Sequence, residues 1–247
     1  MKNGATNYLS NEIGKFIILY IGRCGSSYLQ SLLDSHADLA VEGELLHVGS
    51  IFRENDRYLD ANIIFPKITE VRRKDKCIKS IGFKLSIEHL NQSFENLTQW
   101  YDTAAPCGII HIYRSNKLEQ YLSLVLALNS KAWTSMEGNY LSEKISIDLD
   151  FLRSAINKWR TLDSYLSEFS CKRGGISITY ESLLADQKNV LSKITTLLGV
   201  EASKLEPISV FKRQRKTSIK DTLENYQQVA DYLKNVGLEH FLNDSLI

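Results

Sequence analysis

The chain has 247 residues, with 30 Lys+Arg against 29 Asp+Glu for a formal net charge of +1, and is 43% hydrophobic and 24% charged. A balance this close to neutral excludes a general polyanion binder, which is strongly basic as a domain, so no nucleic-acid partner is expected. With 3 Pro and 13 Gly, low-complexity disorder is excluded as well; one sizeable core is affordable at this length, and no linker or repeat divides residues 1–247, so a single domain is expected.

Phe16–Ile21 is an unbroken, partly β-branched apolar run. That is the pattern of a strand buried on both faces, as in parallel sheets. It is too short for a signal-peptide core or a membrane span. Cys24, Cys77, Cys107 and Cys171 are far apart, with no C-x-x-C and no zinc-ligand spacing. Lone thiols of this kind read as cytosolic, so a cytoplasmic location is expected, with no membrane span and no metal site. After the run comes Gly22-Arg23-Cys24-Gly25-Ser26-Ser27, and then Tyr28, Leu29, Leu32 and Leu33 at helical spacing. Strand, glycine turn and helix therefore open the fold.

Further strands are predicted at Leu39–Val41, Cys77–Leu85, Gly108–Tyr113 and Gly175–Tyr180. Between them, amphipathic spacing predicts helices near Leu90–Trp100, Lys117–Ala132, Leu149–Phe169 and Gln187–Leu198. Pro207 to Ser218 lacks periodicity and reads as a basic loop before a last helix from about Ile219. Strands alternating with helices imply an α/β domain, a mostly parallel central sheet flanked by helices on both faces. In such sheets ligands gather beyond the carboxyl ends of the strands.

Three strand-end segments carry chemistry. In Gly22–Ser27, the amides of a tight turn, a helix N-terminus and two hydroxyls converge as a cradle for a phosphate-like oxyanion. Arg23 adds a charge able to contact two oxygens at once; the alternative is a plain glycine turn with helix-capping serines. The loop is not a nucleotide-triphosphatase P-loop, because no Lys follows Gly25. Nor is it a tyrosine-phosphatase loop, whose arginine would stand where Gln30 is. Second, Tyr113-Arg114-Ser115-Asn116 closes a strand, and Ser123 lies nine residues past Arg114 on the next helix. Together they could grip a second phosphate, or be a surface arginine and an ordinary helical serine. Third, Glu42-Gly43-Glu44 with His47 offers a general base near the anion loop, or a solvated carboxylate.

Together these elements resemble the sulfotransferases that use 3′-phosphoadenosine 5′-phosphosulfate (PAPS), most nearly the compact bacterial carbohydrate sulfotransferases of the nodulation-factor type. The segment from Phe16 through Arg23-Cys24-Gly25-Ser26-Ser27-Tyr28-Leu29 is similar to the family's strand and 5′-phosphosulfate loop. Leu32-Leu33-Asp34-Ser35-His36 with Gly43-Glu44-Leu45, and Gly82-Phe83-Lys84, match further stretches. Arg114 to Ser123 matches the 3′-phosphate motif, and Tyr180-Glu181-Ser182-Leu183 the Y-E-x-L segment. Phe211-Lys212-Arg213-Gln214 with Glu224-Asn225-Tyr226 resembles the C-terminal basic loop and helix. Cys24 stands where Ser or Thr is usual, and Ala37 where Pro is common.

The resemblance implies the P-loop-like sulfotransferase fold and metal-independent, in-line transfer of a sulfuryl group from PAPS to a hydroxyl of a small-molecule acceptor, a carbohydrate or natural product, with PAP as product. It implies that Arg23, Cys24, Gly25, Ser26, Ser27 and Tyr28 hold the 5′ end of the donor, and Arg114, Ser123, Tyr180, Lys212, Arg213 and Gln214 the other. Catalysis would fall to Arg23 and to Glu44 as base, with His47 the alternative; Lys84 would line the site. The competing readings are a nucleotide-dependent kinase of related α/β fold and a catalytically inactive nucleotide-binding homologue.

Overall fold

The computed structural model describes residues 13–47, 53–54, 57–58, 60–72, 78–105, 107–134, 144–204, 208–211 and 215–244. Strand β1 (Gly14–Tyr20) turns into α1 (Ser26–Asp34), followed by β2 (Leu39–Glu44). A short antiparallel ladder, β3 (Arg53–Glu54) with β4 (Arg57–Tyr58), precedes α2 (Ala61–Arg72). Then come β5 (Ser80–Ser86), a 3₁₀ turn at Ile87–Leu90 and α3 (Phe94–Ala104). Next are β6 (Gly108–Tyr113), α4 (Lys117–Ser130) and α5 (Leu149–Lys172). The chain continues through β7 (Ile176–Thr179), α6 (Tyr180–Ala185) and α7 (Gln187–Leu197) to α8 (Ile219–Thr222) and α9 (Tyr226–Asn235).

Five strands form one sheet in the order β2-β5-β1-β6-β7, and every neighbouring pair is parallel. The period-2 alternation of β1 explains its apolar run. Ile17 and Leu19 point into a core built with α2, α3, α5 and α9, while Phe16, Ile18 and Tyr20 point into another with α1 and α7. Both faces are covered, so neither set of side chains meets water. Gly82 on β5 belongs to the second core: a Cβ there would lie 2.5 Å from the Phe16 ring, so only glycine lets that ring rest on the sheet. The loop after β1 leads to α1 and the β2 edge; the loop after β6 leads through α4 and α5 to the β7 edge. The two diverge, and the crevice at the carboxyl ends of β1 and β6 is where a doubly wound sheet takes its ligand.

Departures from the sequence expectations have local causes. The helix expected at Leu90–Trp100 starts instead at Phe94: Asn91 and Gln92 are both left-handed, and Ser93 caps the helix by accepting from the Asn96 amide. Tyr180 does not end a strand but opens α6, because Thr179 and Ser182 form a reciprocal capping box. β2 runs on from Val41 to Glu44 through a bulge between Glu42 and Glu44. The last helix breaks after Thr222, where Leu223 bridges Ile145 and the Asn225 amide bonds both backbone groups of Ile147. α2 was not expected at all, since Pro66 interrupts its pattern. Cys77 and Pro207 lie outside the described residues. No helix among the described residues is long and apolar enough to cross a membrane.

Candidate active site

The β1–α1 turn is built by two left-handed residues, Arg23 (φ 67°) and Gly25 (φ 89°). Gly25 is the N-cap of α1 and makes no side-chain cap, and no acidic residue lies in the first turn. The first N–H groups of a helix have no intrahelical acceptors, and the helix dipole makes that end positive. Three buried leucines, Leu29, Leu32 and Leu33, hold α1 on the sheet. At about 1.5–3 kcal/mol each they outweigh the turn's conformational strain. Gly25 also faces the Tyr180 ring so closely that a Cβ would lie 2.3 Å from it. Tyr180 in turn meets Tyr28 edge-on with centroids 6.3 Å apart, so Gly25, Tyr28 and Tyr180 form one wall.

Arg23 does not project alone. Its Nε and Nη2 donate to Ser123 Oγ at 3.0 and 2.9 Å, and Nη1 donates to the Trp133 carbonyl at 2.6 Å. The Trp133 ring lies 6.0 Å from the guanidinium and is 47% exposed. Ser123, expected to hold the donor together with Arg114, therefore bonds the arginine of the first loop from its place on α4. Arg114 points inward: it is 8% exposed, lies over the Tyr180 ring at 5.1 Å and pairs with the fully buried Glu119. Glu119 also accepts from Arg215 at 2.6 Å, and Arg215 reaches Asp244 at 2.9 Å. Arg215, expected in a basic loop, is thus part of a buried Arg–Glu–Arg arrangement. Lys212, Arg213 and Gln214 lie outside the described residues.

Cys24 contributes only backbone to the cradle. Its side chain is fully buried in the α1 core, and burial pushes the thiol up to about 12. Ser26 is buried at the first position of α1, and Ser27 accepts from Lys84 Nζ at 2.9 Å. The same ammonium lies 3.1 Å from Glu44 Oε1. The bulge in β2 brings this about: it inserts Gly43 and sets Glu44 opposite Lys84 on β5. Tyr20 OH donates to the same Glu44 oxygen, and His89 Nε2 lies 3.5 Å from the other. Burial pushes the Glu44 carboxyl up, but hydrogen bonds from His89 and Tyr20 and the Lys84 charge outweigh it and hold the group well below the usual carboxylate range. Burial, and then the Glu44 charge, push the Tyr20 phenol well up, so it stays a donor. His47 is exposed and, among the described residues, meets this cluster through the His89 ring, edge-on at 5.9 Å.

Sequence reasoning missed Tyr20 and His89. Tyr20 reads as one more apolar strand residue; His89 follows the Gly82-Phe83-Lys84 strand by five positions, beyond any local period. Trp100, at the end of the expected helix, is 6% exposed and packs edge-on against Phe83.

No family model matches the sequence. The chain is similar to nodulation protein H of Rhizobium meliloti (strain 1021), 23% identical over 232 residues that cover 89% of this chain and 91% of that protein. It is similar to nodulation protein H of Rhizobium tropici at 22% over 231 residues, 87% of each chain. Among solved structures, a sulfotransferase from Alicyclobacillus acidocaldarius aligns with a TM-score of 0.52 and 15% identity over 95% of this chain and 98% of that one. The sulfotransferase domain from the curacin biosynthetic pathway aligns at 0.50 and 14%, over 85% and 83%. The chain has the sulfotransferase fold and is similar to nodulation protein H along nearly nine-tenths of its length.

Proposed function

We propose that the chain transfers a sulfuryl group from PAPS to a hydroxyl of a small-molecule acceptor, a carbohydrate or natural product. The observation that carries this reading is the convergence of Arg23, Lys84 and the uncapped N-terminus of α1 on one side of the crevice, with the ionised Glu44 joined to it by the Lys84 ammonium. The donor supplies an SO₃ group on a phosphate leaving group. The residues present fit it: a cradle of helix N-terminal amides for the 5′ phosphate, and the Gly25–Tyr28–Tyr180 wall for a flat base.

Sulfuryl transfer, like phosphoryl transfer, asks for positioning and charge stabilisation with little covalent work by the protein. Arg23 and the α1 amides meet the charge that builds on the leaving phosphate oxygen. Lys84 holds Ser27 and Glu44 in register across β5. The contacts that keep Glu44 ionised also make it a weak base. Its part is to orient the acceptor hydroxyl and receive its proton once the new O–S bond is advanced. His47 is the second candidate, one ring further out. A kinase would need a lysine after Gly25, where Ser26 stands.

The test is an acceptor screen with labelled PAPS, read by mass spectrometry for sulfuryl addition and repeated with Glu44→Gln and His47→Ala. Transfer by the native chain and by His47→Ala, but not by Glu44→Gln, is expected. Loss with His47→Ala alone would move the base to His47, and donor binding without transfer to any acceptor would favour the inactive homologue.

A further inference from the structure

A cavity of about 1100 Å³ lies between α5 and the 3₁₀ turn at Glu239–Leu242, with the end of β6 and the start of α4 as its floor. Asn157, Thr161, Ser164 and Glu168 recur at helical spacing along α5 and form one wall. Tyr113, the last residue of β6, stands three strands away from β2, which carries Glu44. At about 4.8 Å per strand that is roughly 14 Å across the sheet. α5 and α1 also cover opposite faces of the sheet, so the cavity is separate from the anion cradle as well.

The floor holds a buried charge with one oxygen unmatched. Asp163 is 6% exposed; its Oδ2 accepts from Lys117 Nζ, whereas Oδ1 has no hydrogen-bond partner among the described residues. His111 Nε2 lies 3.8 Å from it, beyond hydrogen-bond length, and is unmatched too. A buried carboxylate oxygen without a donor costs free energy, and native interiors carry few such groups unless something outside the chain completes them.

The walls say what would complete it. The lysine and arginine of the lining, Lys117 and Arg160, are balanced by its two acids, Asp163 and Glu168, so neither an anion nor a polycation is favoured. Ser115, Asn157, Thr161 and Ser164 present hydroxyls and an amide, groups that donate and accept alike. Tyr113 and Tyr165 add partly exposed ring surface. An apolar ligand would strand the polar groups. A sugar matches them, since its hydroxyls donate and accept and its C–H faces rest on rings.

We propose that this cavity binds a neutral saccharide, one hydroxyl of which donates to Asp163 Oδ1, at a site distinct from that of sulfuryl transfer. The inference stands whether or not the donor is PAPS.

The test is retention of the full chain on an array of immobilised neutral and acidic saccharides. The best neutral one is then titrated by calorimetry into the native chain, Asp163→Asn, Ser164→Trp and Glu44→Gln. Neutral saccharides should be retained. A hydrogen bond to a charged group is worth roughly 10–100-fold in affinity, and Asp163→Asn, which turns the unmatched acceptor into a donor, should lose about that much. Ser164→Trp fills the cavity from an exposed helical position, so it should fold as the native chain does, lose at least as much, and decide the matter should Asp163→Asn not fold. Glu44→Gln should bind like the native chain. Retention of no saccharide, retention of acidic ones alone, full affinity in Ser164→Trp, or a loss in Glu44→Gln instead would each overturn the proposal, the last by placing the sugar in the crevice.

Discussion

Two arginines close two parallel strands, and the molecule uses them in opposite ways. Arg23 follows β1 in a left-handed turn at an uncapped helix N-terminus, with its guanidinium on Ser123 beside the exposed Trp133. Arg114 follows β6 and folds inward onto Glu119 and the Tyr180 ring, 8% exposed. Both look alike in a sequence: a cation at a strand end, ahead of a helix. The difference lies in what comes next on the helix. α1 carries no acid in its first turn, whereas α4 carries Glu119, which Asn116 caps and Arg215 also claims. The acid in the first turn of the following helix is what draws Arg114 inward.

The largest effect should come from the first loop. Arg23→Ala is expected to cut sulfuryl transfer by roughly 10²–10³, the loss seen when a donor to transition-state charge is removed, with almost no change in melting temperature. Unchanged turnover would take Arg23 out of the mechanism.

Arg114→Ala should show the reverse emphasis. It takes from the buried Glu119 one of the two arginines that pair with it, Arg215 remaining. Removing one partner from a buried charge arrangement destabilises by about 3–5 kcal/mol, and the remaining arginine puts the expected loss at the low end, about 3 kcal/mol. Urea titration measures this directly. An Arg114→Ala chain as stable as the native one, yet unable to bind the donor, would make the two arginines equivalent and dissolve the comparison.

The smallest effect concerns Glu44. Its folded-state carboxyl is held below the usual range, so its contacts contribute stability fully present above the unfolded carboxylate value of about 4.3 and lost as pH falls through the lower folded value. The stability gap between the native chain and Glu44→Gln should be steady at neutral pH and narrow below about pH 4. It should also be small, since the Glu44 side chain is 36% exposed and screened by solvent. A gap that stays constant into strong acid would mean that Glu44 is not held ionised by these partners.

Much of the architecture was legible without coordinates. The apolar run of β1, the glycine turn, the leucine face of α1 and the whole of β6 follow from periodicity and turn chemistry confined to a few neighbouring residues. Arg23 at the mouth of the first loop was legible for the same reason. Pairings between distant side chains were not. Ser123 was assigned to Arg114 by spacing, but α4 presents it to Arg23, 100 residues away in the chain. Arg215 was read as one cation of a basic loop, and Glu119, 96 residues earlier, draws it into the interior. Glu44 looked like a loop carboxylate until a bulge in β2 set it against Lys84.

The amino-acid order by itself determined the opening strand–turn–helix, the parallel α/β class and which strand ends carry charge, because backbone propensity and burial period act over one or two turns of chain. Only the tertiary structure decided which charges meet. A counter-ion, a cap or a loop carbonyl is chosen by proximity in space, and proximity between segments 40 to 100 residues apart is set by how whole helices pack across the sheet.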